Sequence, residues 1–381
     1  MLNIGIIGYG NRMRDVIRTL MRVRGDEVAV CAVADPDTEA ARANARENGN
    51  EDCRFYTTAE EMLEHETLDG VCIGTRCSLH TKYALLVAER GIPMFLEKPV
   101  ATNYGDLERL RTILYHSDKT VVSFPLRLTE PVIFMKGLVD GGKIGTIEHV
   151  QAYNNVSYGR GYYHKWYRDD AETGGLFLQK ATHDLDYINF MLSGRRPTCV
   201  CAMKSKQIFK GNKPAGLKCA DCAEAKTCPE SPENVAKLND GYVIGPYCCF
   251  AEDTGNEDSG SVIVEYDSGM HVVYSQNFVV RGDAGKRGAR FIGYEGTMEF
   301  DFNTGKITVY HHLTRMTEEY RFALGKGHFG GDARLAQNFV DVMKGEAVSQ
   351  TPLSEGILSA EMCLAAKESA ETKRFVEVRG S

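Results

Sequence analysis

The sequence lacks a hydrophobic run long enough to cross a membrane, and it lacks a concentrated stripe of basic residues. The first absence argues against a membrane-spanning protein, because a spanning helix needs about 20 apolar residues. The second, together with a formal net charge of -7, argues against a nucleic-acid partner. No charged leader precedes the first apolar run. We therefore expect a cytoplasmic protein.

Internal repeats and low-complexity segments are also absent, and tryptophan occurs once. The 381 residues suffice for two domains with separate cores. Cysteine, in contrast, is abundant for a cytoplasmic protein, with 12 residues. Most are isolated, and isolated thiols in a reducing compartment typically act as small buried hydrophobic residues.

The first part of the chain alternates between strand and helix patterns. An apolar run, Leu2 to Ile7, predicts a buried strand, and Met13, Val16 and Ile17 recur at helical spacing after it. Further strands are predicted at Val28–Ala34, Val71–Gly74, Pro93–Leu96 and Val121–Phe124, with helices at His80–Arg90 and Leu107–His116. Such alternation predicts a parallel sheet covered on both faces, in a domain of residues 1–124.

Residues 125–381 follow a different pattern. A strand at Thr146–Tyr153 and a long helix at Gly175–Leu192 come first. Two-residue alternation then predicts strands at Ser261–Tyr266, Met270–Phe278, Arg290–Tyr294, Thr297–Phe302 and Lys306–His311. Helices at Ala333–Met343 and Ser354–Glu371 close the chain. We expect one antiparallel sheet of several strands, with residues 219–258 as an irregular, cysteine-rich insertion.

A glycine turn, Gly8-Tyr9-Gly10, separates the first strand from the first helix. Such a turn lets a pyrophosphate reach the N–H groups of a helix N-terminus. Asp35 ends the second strand, where a carboxylate is expected to bind a ribose hydroxyl and to repel a 2′-phosphate. This favours NAD over NADP, although Arg12 and Arg14 oppose the preference. Met13 replaces the usual third glycine, and we expect it to pack toward the sheet.

Two further motifs carry groups suited to proton transfer. Glu97-Lys98-Pro99 follows an apolar strand, so Lys98 should face the crevice where open parallel sheets bind ligands, unless the motif is a surface ion pair. After Gly174-Gly175, the residues Gln179, His183 and Asp186 have the spacing of one helix face. Taken alone, a helical histidine is more often structural than catalytic.

In this order, the glycine turn, Glu97-Lys98-Pro99 and the later His183-x-x-Asp186 resemble the Gfo/Idh/MocA family of oxidoreductases. The resemblance covers nearly the whole chain. It implies an α/β protein with an N-terminal Rossmann domain, a doubly wound parallel sheet, and a C-terminal α/β domain with a large open, mostly antiparallel sheet. It also implies NAD(P)-dependent chemistry on sugars or inositols and a homo-oligomer, either a dimer or a tetramer.

The resemblance assigns the catalytic lysine to Lys98 and the catalytic histidine to His183. Gln179 stands where the family usually has an aspartate, and Lys180 after it either supplies a cation to the site or faces solvent. His183, with a reference pKa near ~6.5, suits the removal of a hydroxyl proton while Lys98 donates to the oxygen. A desolvated Lys98 acting as base, with His183 orienting it, is the alternative.

The remaining predicted site residues fall into two sets. The predicted cofactor-binding residues are Gly8, Tyr9, Gly10, Asn11, Arg12, Asp35, Thr75, His80, Glu97 and Lys98. The predicted substrate-binding residues are Arg127, Tyr158, His164, Trp166, Arg168 and Asp186. Four of the latter lie in an aromatic-rich loop, residues 157–168, whose composition favours recognition of a sugar, with a packed covering loop as the alternative.

The cysteine cluster has the spacing of a structural metal site. Cys219 and Cys222 are followed by Cys228 and, after a gap, by Cys248. Four thiolates arranged in this way predict a tetrahedral zinc site. An Fe–S cluster, disulfides and free thiols are the alternatives.

These observations favour an NAD-dependent oxidoreductase that transfers a hydride between nicotinamide and a hydroxyl carbon of a sugar, inositol or sugar derivative. One alternative is a redox-neutral enzyme that oxidises a glycoside transiently, eliminates the glycosidic bond and reduces the product again. A non-catalytic nucleotide or sugar sensor is an alternative from another class, which retention of both Lys98 and His183 disfavours.

Overall fold

The computed structural model describes residues 1–238, 244–323, 325 and 328–379. Residues 239–243 of the predicted insertion lie outside the described residues. The chain divides into unit 1, Met1–Ile133 with Leu324–Glu361, and unit 2, Phe134–Ala323 with Met362–Ser381. Residues 324–361 thus belong to unit 1, whereas the sequence analysis placed them in the second domain. The predicted domain boundary at Phe124 stays a prediction.

The strands of the described chain are β1 (Leu2–Ile7), β2 (Val28–Ala34), β3 (Arg54–Tyr56), β4 (Gly70–Ile73), β5 (Met94–Leu96), β6 (Thr120–Val122), β7 (Ile147–Asn155), β8 (Pro197–Ser205), β9 (Ser259–Tyr266), β10 (His271–Asn277), β11 (Lys286–Gly293), β12 (Gly296–Asp301), β13 (Lys306–His311), β14 (Thr317–Arg321) and β15 (Val376–Glu377). The helices are α1 (Asn11–Arg24), α2 (Thr38–Glu47), α3 (Ala59–His65), α4 (His80–Ala88), α5 (Tyr104–Arg111), α6 (Glu130–Asp140), α7 (Gly161–His164), α8 (Asp170–Thr173), α9 (Thr182–Met191), α10 (Pro232–Ala236), α11 (Gly331–Lys344) and α12 (Leu353–Thr372). A π-helical turn spans Phe177–Ala181.

Unit 1 contains a parallel sheet with the strand order β3-β2-β1-β4-β5-β6. Ile6 of β1 pairs with Val33 of β2 on one side and with Cys72 of β4 on the other. These strands are apolar along their length because helices cover a parallel sheet on both faces. The order reverses beside β1, as a doubly wound sheet requires, so the predicted Rossmann fold is confirmed.

Helix α11 explains why a late segment of the chain belongs to unit 1. Its residues Leu335 and Phe339 join the same buried cluster as Met13 of α1. The rings of Phe339 and Phe95 meet edge to face, with centroids 6.0 Å apart. The apolar stripe predicted for this helix therefore packs on the nucleotide-binding domain, a partner that its own sequence does not reveal.

Unit 2 is built on a mixed sheet whose described strands have the order β14-β13-β12-β11-β7-β10-β9-β8-β15. The pair β7 and β10 is parallel, and the other pairs are antiparallel. Buried and exposed residues alternate along β9, so one face of the sheet covers the core. The predicted mostly antiparallel sheet is confirmed, but β8, β14 and β15 were not predicted, because charged residues, a proline and short length weaken their pattern.

Within the described residues, we find no helix with both the length and the apolar character needed to cross a lipid bilayer.

Candidate active site

The predicted glycine turn lies between β1 and α1. Gly8 has a φ of +81°, and a Cβ atom on it would lie 2.8 Å from the backbone of Thr75. Gly10 is the N-cap residue of α1. A Cβ atom on Gly10 would have no described heavy atom within 4 Å, apart from those of its chain neighbours. Its N-cap position makes no side-chain hydrogen bond to the helix N–H groups in the described part of the chain. The turn fits a nucleotide pyrophosphate, which needs bare backbone and helix N–H groups.

Asp35 lies beside this turn, at the carboxyl end of β2. Its Oδ2 accepts the N–H of Tyr9 at 2.8 Å, and its Oδ1 accepts the N–H of Asp37 at 2.9 Å. Asn44 donates from Nδ2 to the carbonyl of Tyr9 at 2.5 Å. These bonds hold the carboxylate next to the glycine turn, where it fits the ribose hydroxyls of NAD. Direct contact with a cofactor stays a prediction.

Met13 packs toward the sheet, as predicted, and the structure shows what makes room for it. Met13 is fully buried. A Cβ atom on Gly74, just after β4, would lie 2.6 Å from the Cε of Met13. The third glycine of the usual fingerprint allows close approach of helix and strand. Here the glycine lies on the strand side of that contact, at Gly74, and the larger side chain lies on the helix.

Arg12, predicted to bind the cofactor, is engaged by other residues of unit 1. Its Nε donates to Glu97 Oε1 at 2.8 Å, and its Nη2 donates to Ser123 Oγ at 3.1 Å and to Asp332 Oδ1 at 2.9 Å. Burial raises the pKa of Asp332, but the hydrogen bond with His328 and the charge of Arg12 outweigh it and hold that pKa well below its usual range. The guanidinium therefore fixes Glu97, the first residue of the Glu-Lys-Pro motif.

His80, also predicted to bind the cofactor, supports the same motif from the other side. The ring is 1% exposed, with Nδ1 2.7 Å from the carbonyl oxygen of Pro99 and Nε2 3.3 Å from that of Thr75. Burial lowers the pKa of His80. The Lys98–Pro99 peptide bond is cis. Lys98 itself is partly exposed, and its catalytic role stays a prediction.

The helix predicted at Gly175–Leu192 begins differently from the prediction. Gly174 and Gly175 have φ angles of +75° and +95°, and a Cβ atom on Gly175 would lie 2.8 Å from Asp170 Oδ1. The π-helical turn follows and continues into α9. Such turns are rare and occur mostly at functional sites. Only glycine accommodates this double left-handed entry without strain.

The predicted face of this helix is buried. Gln179, His183 and Asp186 are 1%, 4% and 1% exposed. The amide Nε2 of Gln179 donates to the carbonyl of Thr173 at 3.3 Å. Gln179 therefore acts on the backbone of the preceding turn, an interaction that a carboxylate at this position would not make. The catalytic and binding roles of these residues stay predictions.

A buried ion pair behind His183 was missed in the sequence analysis. Asp184 accepts Nε and Nη2 of Arg287 at 2.7 and 3.0 Å, Asn154 Nδ2 at 2.9 Å and Tyr274 Oη at 2.9 Å. These partners come from three strands, β11, β7 and β10, so the carboxylate fixes α9 on the sheet. The only sequence signal was a charged residue next to the histidine, which is too common to interpret.

Lys180 does not face solvent. Lys180 is only 7% exposed, and its Nζ donates a hydrogen bond to the hydroxyl oxygen of Tyr158 at 2.7 Å. The same ammonium lies 4.5 Å from the ring centre of Tyr158 and 5.2 Å from that of Tyr162. The structure thus pairs a predicted catalytic residue with a predicted substrate-binding residue.

The rest of the aromatic loop binds the insertion. His164 is 1% exposed, with Nδ1 2.6 Å from the carbonyl oxygen of Tyr247. Arg168 donates from Nη1 and Nη2 to the two carboxylate oxygens of Asp253 at 3.1 and 2.6 Å. Trp166 stacks on the ring that follows it, with centroids 3.9 Å apart. Polar groups of His164 and Arg168 thus bind residues about 80 positions away in the sequence, and the predicted contacts of both with substrate stay predictions.

Arg127 lies in unit 1, just after β6. The residue is 4% exposed, and its Nη2 donates to Glu355 Oε2 at 3.1 Å. Its predicted contact with substrate stays a prediction.

The zinc prediction is not supported. Among the described residues, which include every cysteine of the chain, no group of three or more His, Cys, Asp or Glu side chains is arranged to hold a metal ion, and each cysteine is a free thiol. Burial, with a smaller contribution from the nearby thiols of Cys248, Cys228 and Cys222, raises the pKa of Cys219 to about 11.

Backbone pairing and ion pairs connect the insertion to the rest of unit 2. Lys218 and Tyr247 form an isolated antiparallel bridge. Glu230 accepts Arg160 Nε and Arg281 Nη2, each at 3.1 Å. The cysteine spacing on which the zinc prediction was based could not reveal these long-range polar contacts.

Two family models match most of the chain. Residues 2–124 match the model described as "Oxidoreductase family, NAD-binding Rossmann fold", and residues 132–299 match the "GFO/IDH/MocA C-terminal domain".

Similar proteins include an inositol 2-dehydrogenase of Gluconacetobacter diazotrophicus, 27% identical over 51% of this chain and 55% of that protein. A 2,7-anhydro-N-acetylneuraminate hydratase of Mediterraneibacter gnavus is 25% identical over 50% of this chain and 49% of that protein. The chain thus spans about half the length of these two relatives. A levoglucosan dehydrogenase solved with NADH and levoglucosan has the same fold, with a TM-score of 0.78, 20% identity and 99% coverage of both chains.

Proposed function

Because the chain belongs to the Gfo/Idh/MocA family of NAD-binding oxidoreductases, we propose that it is a dehydrogenase of a sugar, an inositol or a related compound. It would transfer a hydride between nicotinamide and a hydroxyl-bearing carbon. The observation that carries this proposal is the glycine turn at the start of α1 with Asp35 held beside it, in a chain that also has the Glu97-Lys98-Pro99 and His183 elements.

The similar proteins support this substrate class. One is named for inositol oxidation, and one structural neighbour was solved with an anhydrosugar and NADH. NAD, when bound, accepts or supplies the hydride. Unit 1 would hold it with the glycine turn, with the N-terminus of α1 and with Asp35.

Lys98 and His183 are proposed to contact the oxygen of the reacting hydroxyl. Arg12 holds the side chain of Glu97 before Lys98, and His80 contacts the carbonyl oxygen of Pro99 after it. Asp184 holds the helix that carries His183. A donor fixed in this way stabilises negative charge on the oxygen without reorganisation during the reaction. Both Lys98 and His183 are candidates for the group that removes the proton of the substrate hydroxyl.

The direct test is a screen of sugars, inositols and glycosides with NAD and NADP. We expect net reduction of the cofactor, followed at its absorbance band, with at least one free sugar or inositol. Absence of both cofactor reduction and cofactor binding would contradict the proposal. Homo-oligomer formation, also proposed from the resemblance, is checked by light scattering in the same preparation.

A redox-neutral cycle on a glycoside or anhydrosugar is the second candidate. It is favoured by the similarity to a protein named as a hydratase, since hydration has no net redox change. This candidate predicts release of an aglycone or ring opening with no net accumulation of reduced cofactor. The screen therefore measures reduced cofactor and the released aglycone or ring-opened product in parallel.

We predict that Asp35→Asn lowers the preference for NAD over NADP about tenfold or more, because removing a charge a few ångströms from a phosphate changes the interaction by several kcal/mol. Asparagine keeps the size of the side chain and an acceptor for the N–H of Tyr9. The ratio of kcat/KM for the two cofactors is the measurement. Asp37→Asn, two residues further on at the N-cap of α2, is the control. An unchanged ratio in Asp35→Asn would mean that another group recognises the ribose.

A further inference from the structure

The contact between Lys180 and Tyr158 joins a buried lysine to a tyrosine whose side chain is partly exposed. Lys180 is 7% exposed, whereas Tyr158 is 45% exposed. The ammonium donates to the phenol oxygen at 2.7 Å and faces the rings of both Tyr158 and Tyr162. Because the ammonium donates, the phenol oxygen is an acceptor in this bond. Its own proton is therefore the one that can leave.

The other charges around this phenol are accounted for. Arg287 on β11 and Asp184 on α9 are the next groups that act on it. Asp184 accepts two hydrogen bonds from Arg287, so its negative charge is largely balanced there. Lys180 on the π-helical turn is then the cation in direct contact with Tyr158, and it favours the phenolate.

The pKa of Tyr158 agrees with this geometry. Burial raises this pKa, but the charges of Lys180 and Arg287 and the hydrogen bond from Lys180 outweigh burial and lower it below the usual value of 10.0. Tyr163 and Tyr187 in the same unit show the opposite result, because burial raises the pKa of each. Tyr158 thus differs from these neighbours in being prepared to ionise.

We propose that Tyr158 is the acid–base residue for the substrate hydroxyl and that Lys180 is its positioning cation. This inference rests on the proposed function and fills the role left open there, with Lys98 and His183 as hydrogen-bonding partners of the reacting oxygen. In the oxidation, the hydroxyl proton passes to the phenolate oxygen of Tyr158. The C–H bond breaks with its electron pair transferred as hydride to oxidised NAD, and the O–H electron pair forms the carbonyl π bond. Tyr158 then loses the proton to solvent.

The first test needs neither substrate nor cofactor. Tyrosinate absorbance near 295 nm is titrated in the wild type and in Tyr158→Phe, and the difference reports Tyr158. We expect one tyrosinate that forms at lower pH than those of the other tyrosines. Lys180→Met should move this titration upward by roughly one to three pH units, and Lys180→Arg, which keeps a cation, should largely restore it. Tyr162→Phe, which keeps the second ring facing Lys180, is the matched control and should not change it.

The second test uses the substrate found in the screen. We expect Tyr158→Phe to lower kcat about 10²-fold or more and to remove the alkaline-rising limb of the kcat/KM profile, as loss of a general base does. Lys180→Met should shift that limb upward. An unchanged limb in Tyr158→Phe, or a raised KM with kcat unchanged, would overturn the proposal and make Tyr158 a binding residue only.

A tyrosinate that titrates normally would overturn the proposal without affecting the proposed function. A chain without dehydrogenase activity, but with the shifted titration, would instead refute the proposed function. Circular dichroism of each variant shows whether it is folded, and Lys180→Gln replaces Lys180→Met if the latter is not.

Discussion

Replacing Lys98 with alanine should reduce turnover roughly 10²- to 10³-fold while NADH still binds, because loss of one preorganised donor to the reacting oxygen has an effect of this size. Arg12 and Ser123 hold the preceding glutamate, and His80 holds the following proline. The backbone at Lys98 should therefore keep its position in the variant, so the change isolates the side chain.

The measurement combines steady-state kinetics on the substrate from the screen with calorimetric titration of NADH. Lys82→Ala is the control, since Lys82 lies on the surface of the same unit and pairs with Glu60 at 3.0 Å. It should leave both quantities unchanged. Turnover of Lys98→Ala within about tenfold of wild type would show that the lysine has no such role.

The features that could be predicted from the sequence are those encoded by neighbouring residues. The strand Leu2–Ile7, the glycine turn and Asp35 follow one another within one strand–helix–strand unit. The spacing of apolar residues and the residue types of the turn are enough to predict them. The same local pattern predicted that Met13 faces the sheet. It did not reveal Gly74, because that glycine is far from Met13 in the sequence and meets it only through the sheet.

Long-range polar contacts explain most of what the sequence did not reveal in unit 2. His164 and Arg168 have residue types typical of sugar binding, but their partners are Tyr247 and Asp253. The cysteine spacing predicted a metal because thiol spacing is visible in a sequence, whereas the bridge between Lys218 and Tyr247 is not. Residue type indicates what a group is able to bind, and only the fold shows what it does bind.

The π-helical turn before His183 was also not predicted. Four-residue spacing placed Gln179 and His183 on one face of a regular α-helix, whereas Phe177–Ala181 forms a π-helical turn before α9 begins. No residue in Phe177–Ala181 distinguishes a π turn from an α turn by its propensity. What could have indicated irregularity is the pair Gly174-Gly175, whose left-handed conformations start the segment.

The second large effect is expected in stability. Arg287→Met should destabilise the protein by about 3–5 kcal/mol, because it leaves the buried carboxylate of Asp184 without its cation. Asn154 and Tyr274 still donate to that carboxylate, but neither carries a charge. The side chain of Asp184 is fully buried and that of Arg287 is 9% exposed, so water cannot replace the lost partner.

Urea unfolding followed by fluorescence measures this effect in the relevant unit, because the single tryptophan, Trp166, lies in unit 2. Arg290→Met is the matched control on the same strand. Arg290 pairs with Glu299 at 3.4 Å with both side chains more than two-fifths exposed, so its loss should cost at most about 1 kcal/mol. The double variant Asp184→Asn with Arg287→Met should be less destabilised than the sum of the single variants, since it removes both charges together. Equal midpoints for Arg287→Met and Arg290→Met would show that the pair does not hold α9 on the sheet.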